Sequence, residues 1–469
     1  MNKFKALFGA QDMTVGSPLK CLINFSIPLL IGNLAQLLYS TVDSIVVGRV
    51  VGDDALAAVG CSGPITNLFF VLFMTVASGA GIMVAQYFGA KDGKNLSWTI
   101  GNSVTLIFIS SVVLTAVGTP LAGSFLHLTK TPPEMFDMAK SYLQIIFLGV
   151  IGIGFYNILS GILRSMGEAV FPLLVLLGTC GLNIVLDIAF VAWLKMGVAG
   201  AAWATIISQI LSAVVCLVKV LRLRGLAELK PQMLRPKKDT MLTLLKLGIP
   251  AGITQGIISL SFVFVQSFIN KMGYLVAACC TAVMRVDSFA MIPNQTFSVS
   301  AATYTGQNIG AGDMDRVNRG GRTVLLMSLA VSAVLVTFVL TCGGMILRMF
   351  TETETVINMG IRMMRILGAG YICAAISQAL GGVMRGAGDT MATMWMTISS
   401  MVIVRLPLTW ILTRTSASET WPNGNPDVIF VTLLVVFVLN AIITAVYYRT
   451  GRWRTKAIVK NSGVVSDTE

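Results

Sequence analysis

QYFGAKDG, residues 86–93, is answered by QNIGAGDM at residues 307–314. Gln86/Gln307, Gly89/Gly310, Ala90/Ala311 and Asp92/Asp313 match at one offset, 221 residues. A second pair, GILRSMGE at 161–168 and GVMRGAGD at 382–389, matches at Gly161/Gly382, Arg164/Arg385 and Gly167/Gly388 with the same offset. Two separated matches at a single spacing identify an internal duplication. Allowing one inserted residue, SIPLL at 26–30 answers GIPAG at 248–252, which sets Pro28 and Pro250 early in the first helix of each copy.

The composition says what is duplicated. Of 469 residues, 55% are hydrophobic and 12% charged, with a mean hydropathy of +0.80, whereas about 25% of residues in a soluble domain are charged. The chain reads as an all-α integral membrane protein. Apolar stretches of about 20 residues or more recur near 20–48, 56–86, 99–121, 140–160, 169–193, 198–220, 245–268, 275–303, 321–345, 361–383, 391–411 and 427–448. They predict about twelve transmembrane helices. The duplication divides them into an N-lobe at 20–220 and a C-lobe at 245–448, with an N-terminal segment at 1–19, a basic linker at 221–244 and a tail at 449–469. Six spans per copy keep both copies in one orientation, so an axis along the membrane normal should relate them, as in transporters that hold substrate between their halves.

The net charge of +13 follows topology rather than a nucleic-acid surface. Counted from an intracellular N-terminus, 23 Lys and Arg fall on the N-terminal side, nine on the opposite side and two, Arg285 and Arg405, within spans. The positive-inside rule then puts both termini in the cytoplasm, and no nucleic-acid partner is expected. The residues MNKFKALFGAQDMTVGSPLK contain no sustained apolar core before a small-residue cleavage site, so they read as a cytoplasmic lead-in and not a signal peptide. Cys21, Cys61, Cys180, Cys216, Cys342, Cys373 and the pair Cys279 and Cys280 show no C-x-x-C spacing and read as free, packed thiols.

Within the spans, charge marks the functional candidates. In NLAQLLYSTVDSIVVG at 33–48, Asn33, Gln36, Ser40 and Asp43 return to one helix face. A carboxylate at membrane depth costs roughly 2.5 to 3.5 kcal/mol on insertion scales, so it is a functional-site hypothesis by default. Asp187 shares a face with Thr179 and Asn183 in TCGLNIVLDIAF, the next span presents Thr205, Gln209 and Ser212, and Asn157 lies near the end of the fourth. Convergence of these stripes would enclose two carboxylates with amides and hydroxyls, a donor set for H⁺ or Na⁺. The second copy holds apolar residues at the matching positions, Phe264 or Val265 for Asp43 and Leu408 for Asp187. It carries instead Arg285 and Asp287 in AVMRVDSFAMIPNQTF; two residues apart on a helix they do not face each other, so each needs another partner, in an ion pair or in a gating or substrate role. Arg405, just before Pro407, reads as a packing or snorkelling residue.

No G-x-x-x-x-G-K-[ST] phosphate cradle indicates ATP-driven pumping. The single histidine, His127, lies in the connection HLTKTPPE, and no nucleophile–base constellation is visible, so neither a cofactor nor enzymatic activity is expected.

These residues resemble the multidrug and toxic compound extrusion (MATE) family, particularly its bacterial branch similar to DNA-damage-inducible protein F. The resemblance covers nearly the whole chain and rests on IPLLIGNLAQLLYSTVDSIVVGRVVG, on the two duplicated motif pairs, and on NIVLD followed by GVAGAAWATIISQ. It implies a two-lobed exporter of drugs or metabolites, often cationic and amphipathic, exchanged for H⁺ or Na⁺ by alternating access. By motif, Asp43 looks like the acidic residue of the first helix with Tyr39 one turn before it, and Asp187, Asn183 and Thr205 look like its partners in an N-lobe cation site, with Asn157 as a neighbour. Pro28 looks like the proline at which the first helix bends. The family branch with an acidic cation site in the C-lobe has carboxylates that GYICAAISQALGGVMRG lacks, so no such Na⁺ site is expected there. The expected setting is a bacterial cytoplasmic (inner) membrane, with a monomeric chain. A lipid-linked saccharide flippase of related fold is the alternative, although only Arg285 and Arg405 could meet a pyrophosphate within the spans.

Overall fold

The computed structural model describes residues 11–129, 131–223, 228–348, 353–419 and 421–459; residues 1–10 of the lead-in, 224–227 of the linker and 460–469 of the tail lie outside them. Among the described residues there are helices and no strands. In chain order they are α1 (Pro18–Val50), α2 (Asp53–Gly89), α3 (Gly93–Leu128), α4 (Pro133–Leu148), α5 (Val150–Ser165), α6 (Val170–Asp187) and α7 (Gly197–Leu221), then α8 (Lys238–Lys271), α9 (Tyr274–Gly310), α10 (Met314–Arg348), α11 (Glu354–Gly386), α12 (Thr390–Ile398), α13 (Arg405–Thr415) and α14 (Asp427–Thr450). Among the described residues eleven continuous helical segments are long and apolar enough to cross a membrane, and α4 with α5, bent by 50°, makes a twelfth when the pair is taken as one span.

The duplicated motifs are helix stops followed by helix starts. At the first, the Asp92 N–H reaches back to the Tyr87 carbonyl at 3.0 Å, and the Asp313 N–H to the Asn308 carbonyl at 3.0 Å. This six-to-one closure needs a left-handed residue just before it, and the two copies meet the need differently, with Lys91 at φ 55° and Gly312 at φ 77°. Each aspartate then caps the next helix: Asp92 Oδ1 accepts the Asn95 N–H at 3.0 Å, and Asp313 Oδ1 the Arg316 N–H at 2.8 Å. The second motif repeats the left-handed stop, with Gly167 at φ 86° and Gly388 at φ 98° ahead of Glu168 and Asp389, but only Asp389 goes on to cap the next helix, accepting the Ala392 N–H at 3.3 Å.

The fourth span differs from its expected single helix because glycines let α5 approach α7 closely. A Cβ on Gly149 would stand 2.3 Å from the Ile206 side chain, and one on Gly152 2.6 Å from Ile210 Cγ1 and 3.0 Å from its backbone nitrogen. At the bend the Phe147 carbonyl accepts the Thr115 hydroxyl at 2.7 Å, the kind of hydroxyl rescue that lets a helix break at membrane depth. The fifth span of each copy carries a π-helical segment, Ile188–Trp193 directly after Asp187 and Ser399–Val404 directly before Arg405.

The described chain forms two compact units, one built on Ile23–Gly252 and the other on Ile253–Ile309 with the chain from Asp313 onward. The linker belongs to the first unit and is not a free connection. Asn102 on α3 donates its amide to the Met233 carbonyl at 3.2 Å and accepts the Lys237 N–H at 2.7 Å, while the Thr105 hydroxyl donates to the Leu234 carbonyl at 2.7 Å. The second unit packs around Val265, Val283, Met363, Leu367 and Phe430.

Candidate functional site

The first unit brings two polar stripes face to face. Asn183 and Asp187, both fully buried, stand one turn apart at the end of α6. The Asn183 amide, oriented so that both its ends are satisfied, donates to Asp187 Oδ2 at 3.0 Å and accepts the Thr205 backbone N–H from α7 at 3.2 Å. Two turns before Asp187, the Thr179 hydroxyl accepts that of Ser212 at 2.8 Å. From α1, Tyr39 directs its hydroxyl at Thr205 Oγ1 over a long 3.5 Å, and the Asp43 carboxyl interacts directly with that of Asp187. A narrow cleft lined by Tyr39, Leu176, Thr179, Cys180, Ser208 and Gln209 adjoins them, with room for about one water molecule.

Asp43 Oδ1 and Asp187 Oδ1 are both buried without a hydrogen-bond partner. Two carboxylates in contact repel each other strongly, by about 4 kcal/mol at 4 Å and an effective dielectric of 20, unless a positive species joins them. Oxygen and amide donors without sulfur suit a proton or a hard monovalent cation. This arrangement of Asp43, Asp187, Asn183, Thr205 and Tyr39 is thus chemically competent to take up H⁺ or Na⁺.

The other residues named from the sequence fall elsewhere. Asn33 is half-buried, whereas Gln36 and Ser40 are exposed, and the Ser40 hydroxyl turns back to the Leu37 carbonyl at 2.9 Å. Asn157 donates its amide to Ile153 of its own helix at 2.8 Å. Pro28 lies within α1, which is continuous through it. One participant escaped the sequence reading: Tyr142 on α4 stands within electrostatic reach of both Asp43 and Asp187. Its only mark in the sequence is a hydroxyl-bearing side chain in an apolar run.

In the second unit Arg285 is exposed and Asp287 turns away from it, toward the Tyr371 hydroxyl and Arg405. Arg405 does not snorkel. It is 1% exposed, donates Nη1 to Ser261 Oγ at 3.3 Å and lies 5.1 Å from the centre of the Phe262 ring. These partners hold the guanidinium inside, whereas snorkelling requires a path to the membrane edge. None of the eight cysteines forms a disulfide.

Comparison with known proteins adds family to geometry. A family model described as MatE matches residues 28–189 and again 250–411. The probable multidrug resistance protein YpnP of Bacillus subtilis is 29% identical over 95% of this chain and 98% of its own length. The probable multidrug resistance protein NorM of Thermotoga maritima is 26% identical over 95% of each chain. Among solved structures, a MOP superfamily transporter from Pyrococcus furiosus superposes with a TM-score of 0.86 at 23% identity, over 94% of this chain and 97% of that one. An outward-facing multidrug resistance MATE family transporter also gives 0.86, at 22% identity over 94% and 97%. At that identity the structural likeness is one of fold. The two matched stretches, each beginning at the early proline of its copy, decide the assignment: the chain belongs to the MatE family.

Proposed function

We propose that this protein is a secondary active exporter of small organic molecules, cationic or amphipathic in character, which antiports them against H⁺ or Na⁺ by alternating access of its two lobes in a bacterial cytoplasmic membrane, both termini inside. The observation that carries this reading is the Asp43/Asp187 pair, two carboxyls in direct contact inside a helix bundle, attended by Asn183, Thr205, Tyr39 and Tyr142. The relatives named as multidrug resistance proteins support the substrate class.

In this reading, uptake of the ion at the pair favours release of substrate outside, and loss of the ion to the cytoplasm resets the protein. One pH unit supplies about 1.4 kcal/mol per proton and 100 mV about 2.3 kcal/mol per charge, enough together for an export gradient of roughly a few hundredfold. The test is transport of a fluorescent organic cation in proteoliposomes under a pH gradient or a Na⁺ gradient imposed separately. Wild-type protein should export under one of them, which names the ion, and Asp43→Asn should abolish the coupling. Full ion-driven export by the variant would remove Asp43 from the coupling site.

A further inference from the structure

The sixth helix of each copy is followed by a short 3₁₀ turn, Pro231–Leu234 after α7 and Arg452–Lys456 after α14. Each post-helix segment docks on the third helix of its own copy. Ser97 Oγ accepts the Glu228 N–H at 3.0 Å, and 221 residues later Asn318 Oδ1 accepts Arg454 Nη2 at 3.1 Å. The first turn is gripped through its main chain by Asn102 and Thr105. The second is anchored by an aromatic side chain: Trp453, fully buried, stacks on Tyr448 with ring centres 5.1 Å apart and donates Nε1 to the Tyr448 carbonyl at 2.9 Å.

With Trp453 turned inward, Arg449, Arg452, Arg454 and Lys456 are all exposed, as are Arg319 and Arg322 near the start of α10. The four ion pairs among the described residues use none of the six. No acid occurs from Val428 to Val459. Asp389 nearby is 5% exposed and already accepts the Ala392 N–H at 3.3 Å and the Tyr447 hydroxyl at 2.7 Å. Against the cations stands Asp315, exposed one turn before Arg319. The 24 residues of α14 span about 36 Å, more than the roughly 30 Å hydrocarbon core, so its end emerges at headgroup level. Guanidinium forks match phosphate oxygens, and cations at this level are drawn to anionic lipid.

We propose that the turn at 449–456, with Arg319 and Arg322, is a binding surface for anionic phospholipid headgroups, holding the third and sixth helices of the C-lobe at one membrane face. The surface depends on the membrane placement of α14 and not on ion coupling, so its test involves no transport. Full-length protein in maltoside micelles containing phosphatidylcholine is titrated with dioleoyl phosphatidylglycerol, and its thermal unfolding midpoint is followed; inorganic phosphate and further phosphatidylcholine form separate arms. Phosphatidylglycerol should raise the midpoint saturably, and the other two should not. R449Q/R452Q/K456Q spares the Arg454–Asn318 and Trp453–Tyr448 contacts and should need at least about tenfold more phosphatidylglycerol, because each cation near an anionic surface contributes about fivefold; K271Q/R414Q should behave as wild type. Absence of a shift, a triple variant that responds at the wild-type concentration, or an equal effect of free phosphate would overturn the proposal. If the triple variant does not survive purification, the wild type decides: a lipid shift unchanged between about 0.05 and 0.5 M salt, where screening should suppress it, overturns it as well.

Discussion

Asp187 is buried completely, and its nearest donor, Asn183, was legible four residues earlier on the same helix face. The arithmetic of helical faces found Thr179, Asn183 and Asp187 on one span and Thr205 and Ser212 on the next, and the fold closes those faces on each other. It could not find Tyr142, because a hydroxyl in an apolar run declares no partner, nor could it separate Asp43 from Gln36 and Ser40, which share its stripe and stay exposed. Nor could it decide between packing and snorkelling for Arg405, because residue type at membrane depth does not reveal that a serine and an aromatic ring wait beside it to pack it inside. Outside the spans, Glu168 offers a test of burial. It is 1% exposed and paired with Lys219 at 3.0 Å; burial pushes its carboxyl above the ordinary value, with the Lys219 hydrogen bond and charge pulling the other way. The folded chain therefore holds this proton more tightly than the unfolded chain. Its contribution to stability is fully present below about 4.5 and is lost as pH rises through the elevated folded value. In Glu168→Gln that decline should disappear from a plot of melting midpoint against pH, and an unchanged slope would place its origin in another group.

At the scale of elements, hydropathy windows located every span but drew all except the fifth, 169–193 against Val170–Trp193, too short, because helices continue past the apolar core into polar ends. The window 321–345, for example, grew to Met314–Arg348. A window also averages over a bend, which is why the fourth span looked like a single helix. The bend depends on glycine at the approach of α5 to α7, where a new methyl group at residue 152 would meet Ile210 Cγ1 at 2.6 Å and, at 3.0 Å, the Ile210 backbone nitrogen, which cannot rotate aside. Gly152→Val should lower stability by about 1–3 kcal/mol, the usual range for overpacking, read as a drop in thermal midpoint. A midpoint equal to wild type would mean that the two helices separate freely at this level.

For the molecule as a whole, the duplication was the most legible feature, since motif spacing needs no structure to be seen, and the family model likewise matches twice, over 28–189 and 250–411. Orientation rests on charge alone and can be checked directly. In a cysteine-free background, Lys230→Cys should react with an impermeant thiol reagent in inside-out vesicles and Ser418→Cys in right-side-out vesicles, both positions being exposed; the reverse pattern would invert the chain in the membrane. The π-helical segments bear on where each copy keeps a charge. A π turn widens the helix around it, and both fifth spans carry one, Ile188–Trp193 directly after Asp187 and Ser399–Val404 directly before Arg405. Both of those side chains are buried, so each copy sets its widened turn against an enclosed charge, an acid in the first and a guanidinium in the second.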